Sequence, residues 1–118
     1  MANRCATYTE FWPFYLREHA VSGTRYMHYA GTLIGSAVLV WALVTQTWWA
    51  VLLWPLIGYG FAWVSHAFIE RNKPATFIHP FWSFISDYRM TFLALIGQLK
   101  PELIKAGVLE HPHASAAE

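Results

Sequence analysis

An all-α fold, an integral membrane helical bundle built on a central transmembrane hairpin with aromatic-rich amphipathic helices on either side, is what this sequence predicts. Three observations predict it. From Tyr26 to Ile69, about 44 residues, there is no Asp, Glu, Lys or Arg. The chain is 56% hydrophobic and 13% charged, against roughly 45–50% and 25% in ordinary globular domains, and its seven Trp, eight Phe and six Tyr suit the aromatic belts of membrane interfaces. As one helix the charge-free run would extend roughly 66 Å, about twice the ~30 Å hydrocarbon layer. It must therefore fold back, and Thr45-Gln46-Thr47 is the polar interruption where it can.

The elements follow in chain order. Glu10 to Val21 is helix-compatible and crowded with aromatics (Phe11, Trp12, Phe14, Tyr15). Ser22-Gly23 reads as its stop, with Thr24 as a cap for the next helix. The first span runs from about Tyr26 to Val44 and the second from about Trp48 to Glu70, with Trp48 and Trp49 at the far interface. Gly31 and Gly35 form a small-xxx-small pair that lets helix backbones approach, and Gly58 and Gly60 open a face in the second span. Pro55 is expected to kink that span, and Pro74 to end it. Pro80 suits the first turn of a further helix. There Phe81, Phe84, Ile85, Tyr88, Phe92, Leu95, Ile96 and Leu99 recur at three- and four-residue steps, while Ser83, Asp87, Thr91 and Gln98 take the other side. That stripe is expected to lie on the membrane or against the hairpin. Residues 1–110 read as one domain and residues 111–118 as a polar, disordered tail, in which His111 and His113 read as frayed ends.

Charge and composition exclude some classes. A formal charge of +1 with no basic stripe is no footprint of nucleic-acid binding. Cys5 is the sole cysteine, which rules out an internal disulfide or a cysteine-based zinc site. The first 23 residues carry charges throughout and lack the apolar core of a secretory signal peptide. The oligomeric state, a homo-oligomer included, is left open.

The histidines carry the chemistry. His28 lies about 17 residues before the turn and His66 about 19 after it, so at 1.5 Å per residue both stand ~25–29 Å from it. The hairpin returns them to one membrane face at nearly one depth. Arg17, Arg25, Arg71 and Lys73 are on that side and the turn is uncharged, so the face is expected to be cytoplasmic. A break at Ser22-Gly23 lets His19 fold over the mouth of the hairpin, and His79 sits in the loop leaving it. Glu70, four residues after His66, is expected to project from the same helix face. Any one of these histidines alone is most often an amphipathic interfacial anchor. Several converging with a carboxylate make the ligand set of non-haem Fe(II) oxygenases, which keep positions open for oxygen and substrate. Zinc accepts similar ligands. Glu70 reads as a ligand or as an acceptor orienting a histidine ring. Arg25, Arg71 and Lys73 read as positive-inside flanks, or as partners of an acidic headgroup.

The stretches FWPFYLREHAVSGTRYMHYAGT (Phe11 to Thr32) and GYGFAWVSHAFIERNKPATFIHP (Gly58 to Pro80) resemble a family of small membrane proteins once catalogued as a domain of unknown function. The yeast 2-hydroxy fatty acid dioxygenase of phytosphingosine breakdown typifies it. The shared pattern is an aromatic-rich segment ending in His19, then His28 entering an apolar span, Gly31, and the closing His66, Glu70 and Pro74. The resemblance covers Phe11 to about Leu99, and the compact hairpin looks more like bacterial members. It implies an Fe(II)-dependent α-oxidation that removes one carbon from a 2-hydroxy fatty acid with molecular oxygen, in the bacterial inner (cytoplasmic) membrane. On this reading His19, His28, His66 and Glu70 bind the metal, Arg25 offsets the substrate carboxylate, and membrane lipids are further partners. His79 is not part of the pattern. Two other classes remain: a helical hairpin ligating haem through facing histidines, marked by a Soret band, and a metal-free structural or adaptor protein.

Overall fold

The first helix opens on Thr7, whose hydroxyl accepts the Glu10 N–H at 3.2 Å, while the Glu10 carboxylate reaches back to the Ala6 N–H at 3.0 Å. The first satisfies a donor that a helix start leaves orphaned, and the second ties down the residue before the cap. The structure, a computed structural model, describes residues 5–73 and 78–109, so Pro74 and residues 111–118 lie outside the described residues. Every regular element among those described is helical: α1 (Tyr8–Arg17), α2 (Ser22–Thr45), a 3-10 segment (Trp48–Leu52), α3 (Leu53–Ser65), a π-helical turn (His66–Glu70), α4 (Pro80–Leu95) and α5 (Leu99–Lys105).

The hairpin forms where the charge-free run predicted it. Gln46 takes the left-handed conformation (φ 56°) and Thr47 N donates to Ala42 O at 2.8 Å, closing α2 before the chain reverses. The returning arm is continuous from Trp48 to Glu70, and both arms are long and apolar enough to cross a membrane. Pro55 falls at the third residue of α3, just after the 3-10 segment, where a missing N–H costs little. Glycine sets the spacing of the arms. A Cβ on Gly31 would stand 2.7 Å from Phe61 Cβ, and one on Gly35 would stand 3.0 Å from Trp54 O. Midway along, Trp54 Nε1 donates to the Tyr88 hydroxyl at 2.7 Å, and Tyr88 also bonds Ser36, so one polar knot ties α2, α3 and α4.

Two elements depart from the sequence reading. The break after α1 falls at residues 18–21, not at Ser22-Gly23, and α2 begins at Ser22. Thr24 is therefore inside the helix and buried rather than a cap. The last helix stops at Leu95, and Gly97 (φ +75°) turns the chain into α5 before Leu99.

α4 is also oriented by its polar side. Ser83, Ser86, Asp87, Met90 and Thr91 are buried, whereas Phe81 is 82% and Leu95 68% exposed, with Ile85, Phe92 and Ile96 also exposed. A compact aromatic core holds the other side of the molecule, where Phe11, Trp12, Tyr15 and Leu16 of α1 pack on Met90 of α4 and on Leu99 and Leu103 of α5. Arg89 closes this cluster with its guanidinium 4.0 Å above the Trp12 ring.

Candidate metal centre

Three histidines from three elements meet in one buried place. His19 follows α1, His28 is in α2 and His66 opens the π-helical turn. Each is at most 3% exposed. His19 Nε2 lies 3.1 Å from His28 Nε2 and 3.1 Å from His66 Nε2, and one ligand atom from each ring falls within 4.8 Å of the others.

The far side of each ring settles its proton. His28 Nδ1 is 3.0 Å from Asp87 Oδ1, His66 Nδ1 is 2.6 Å from Asn72 Oδ1, and His19 Nδ1 is 2.6 Å from Tyr15 O. All three partners are acceptors. The amide of Asn72 cannot be turned round, because its Nδ2 donates to Glu18 O at 3.2 Å and to Glu18 Oε1 at 3.0 Å. A neutral imidazole carries one N–H, so with Nδ1 donating, each Nε2 presents a lone pair. Lone pairs on His28 and His66, each 3.1 Å from that of His19, repel it, and a shared cation turns that repulsion into ligation. Burial, then the neighbouring His28 and His66, holds His19 well below the ordinary histidine pKa, which keeps it in the neutral form a metal needs.

Local structure explains these partners. A π-helical turn is uncommon and gathers at functional sites. Here it carries His66 and ends on Arg71 in the left-handed conformation (φ 62°). Asn72 N then donates to His66 O at 3.0 Å, which brings the Asn72 side chain back behind the His66 ring. Tyr15 stacks on His19 with ring centroids 4.1 Å apart, and its hydroxyl donates to Asp87 Oδ1, the atom that holds His28. Burial, then Asp87, raises the Tyr15 hydroxyl well above the ordinary tyrosine value, so it stays a donor.

The structure thus brings together the ligand atoms of His19, His28 and His66, and the other expected residues have partners of their own. Glu70 Oε1 accepts the Val21 N–H at 3.1 Å, pinning the turn between α1 and α2. The expectation that it shares a face with His66 assumed α-helical spacing, and the turn that carries both residues is i→i+5 instead. Arg25 is buried and its Nη1 donates to His19 O and Ala20 O, both at 2.9 Å. It also lines a cavity of about 350 Å³ with Tyr26, Tyr29, Leu99, Lys100 and Leu103. His79 stands apart, stacked on Trp82 and accepting Cys5 N at 3.1 Å. The carboxylate that does meet the histidines, Asp87, was noted in the sequence only as part of the polar side of the last helix. The signal was present: a carboxylate at the middle of a helix expected on or in a membrane is costly unless something buried needs it.

Residues 5–99 match the family described as Mpo1-like, 2-hydroxy-palmitic acid dioxygenase Mpo1-like. The chain belongs to the Mpo1-like family. The match takes in α1 to α4 and all three histidines, in agreement with the resemblance drawn from the sequence. Neither a curated protein nor a solved structure matches the chain. The donor set fits a metal ion, as three imidazoles with oriented rings suit iron and zinc alike.

Proposed function

We propose that this Mpo1-like protein is a non-haem iron dioxygenase that shortens 2-hydroxy fatty acids by one carbon, with His19, His28 and His66 holding a single Fe(II). The observation that carries the proposal is the convergence of three Nε2 atoms, with an acceptor against the opposite nitrogen of each ring. Ferrous iron held there would supply the redox-active centre at which dioxygen and the hydroxy acid meet. The chain supplies the rest. Asp87 orients the His28 ring, Asn72 orients the His66 ring, and Glu70 holds the α1–α2 turn closed over the centre. Arg25, through the cavity it lines with Lys100, offsets the charge of the substrate carboxylate. Haem fits less well. Two axial imidazoles must lie on opposite faces of a macrocycle, and here His19 Nε2 lies 3.1 Å from both of its neighbours.

In the same reading residues 1–110 form one membrane-embedded domain with α2 and the 48–70 arm crossing the bilayer. The inverted burial of α4 supports this, since large apolar side chains face outward while Ser83, Asp87 and Thr91 face the bundle. Arg17, Arg25, Arg71 and Lys73 at the histidine end favour a cytoplasmic-side site in a bacterial inner membrane. An acyl chain can then lie in the apolar layer with its carboxylate at headgroup depth.

The test is anaerobic loading of detergent-purified protein with Fe(II), then addition of oxygen and 2-hydroxypalmitate. Mass spectrometry should show an acid one carbon shorter, made by the wild type and not by His19→Ala, His28→Ala or His66→Ala. Equal turnover by all four proteins would sink the proposal.

A further inference from the structure

Four hydroxyls within the helices of this fold bond to a carbonyl one turn back. Ser36 donates to Thr32 O at 2.7 Å, Thr45 to Trp41 O at 2.8 Å, Ser65 to Ala62 O at 2.7 Å and Thr91 to Asp87 O at 2.7 Å. Thr24 does not. It is fully buried, and among the described residues its Oγ1 is the buried side-chain polar atom with no hydrogen-bond partner. The carbonyl four residues back, Ala20 O, accepts Arg25 Nη1 at 2.9 Å. A buried hydroxyl left without a partner costs free energy that a valine of the same shape would not incur. Its retention calls for an explanation.

Its position suggests one. Thr24 lies four residues before His28, on the same face of α2. That helix packs against the π-helical turn opened by His66, and the adjacent Gly23 has its Cβ position 3.6 Å from Ile69 of that turn. Thr24 therefore lies one helical turn before His28, on a helix that packs against the turn carrying His66. A 2-hydroxy acid brings carboxylate and hydroxyl oxygens into this buried space. Any oxygen not on the ion needs a hydrogen bond from the protein.

We propose that Thr24 is a positioning residue whose hydroxyl hydrogen-bonds an oxygen of the 2-hydroxy fatty acid held at the three-histidine centre. The inference rests on the proposed function and specifies how the substrate's polar end is recognised. The orphan hydroxyl is a cost the fold carries for a bond made in the complex.

The experiment uses the full chain in detergent, loaded with Co(II) as a spectroscopic substitute, and titrates 2-hydroxypalmitate while following the visible ligand-field bands. Thr24→Val should bind the acid at least about tenfold more weakly than wild type, and Thr24→Ser should stay close to wild type. Metal-free Thr24→Val should melt at the same temperature as wild type or higher, because it removes an unsatisfied group. Undiminished binding by Thr24→Val overturns the inference. So does a lower melting temperature of the metal-free variant, which would mean that the hydroxyl already has a structural partner. A wild type that takes up Co(II) but shows no spectral change with the acid sinks the inference together with the substrate reading. If the wild type takes up no metal, the centre itself is refuted.

Discussion

Asp87→Asn isolates what the buried carboxylate does for the centre. Asparagine keeps the shape and one acceptor oxygen near His28 Nδ1, 3.0 Å from Asp87 Oδ1 in the native protein, and near the Tyr15 hydroxyl. It removes the charge. A hydrogen bond to a charged group contributes about 1.5–3 kcal/mol, and a neutral acceptor roughly half of that. The imidazole should lose on the order of 1–1.5 kcal/mol of support as a ligand, about a tenfold loss of affinity, within the roughly 10–100-fold range seen when such partners of metal-bound histidines are changed. Asp87→Ala should do worse, because it leaves both the His28 N–H and the Tyr15 hydroxyl buried without their partner. Competition between purified protein and a chromophoric chelator for Zn(II) or Co(II) measures the effect directly. Unchanged affinity in Asp87→Asn would refute the reasoning, as would a larger loss from Glu70→Gln, which this geometry expects to change metal binding little.

His79→Ala should still bind one metal per chain, whereas each of His19→Ala, His28→Ala and His66→Ala should lose it; elemental analysis of the four proteins decides. Gly31→Ala should destabilise by about 1–3 kcal/mol, because the new methyl meets Phe61 Cβ at 2.7 Å, while Gly60→Ala, with nothing within 4 Å, should be nearly neutral. Equal thermal midpoints for these two variants would contradict the hairpin packing. Burial keeps His19 below its ordinary pKa, so the unfolded chain takes up a proton near pH ~6.5 that the folded chain refuses until lower pH. Stability of the metal-free protein should thus be full above that pH and fall as pH drops below it. A midpoint that rises between pH 7 and pH 5.5 would contradict this.

The hairpin and the meeting of His28 with His66 were legible because both follow from counting. A run without charges, one polar interruption and a fixed rise per residue place two positions at one depth. Counting gives no azimuth, and that is where the sequence reading stopped. Glu70 looked like a partner of His66 under α-helical spacing, and nothing in HAFIE announces a π-helical turn. Asn72 reaches His66 through the left-handed conformation of Arg71, which no glycine marks. The stripe of α4 was visible, but whether its apolar or polar side faces the bundle depends on the surroundings, lipid or water. Asp87 changes from a solvated residue to a site residue on that choice. His19 was expected to reach the mouth through a break at Ser22-Gly23. It does so through residues 18–21, where Arg25 and Glu70 hold backbone groups that no local motif encodes.

The most direct measurement is X-ray absorption at the iron edge of Fe(II)-loaded protein, with metal content counted per chain. The three-histidine centre predicts one iron per chain with three imidazole nitrogens in its coordination shell. Iron that does not bind stoichiometrically, or a shell without imidazole scattering, would contradict it.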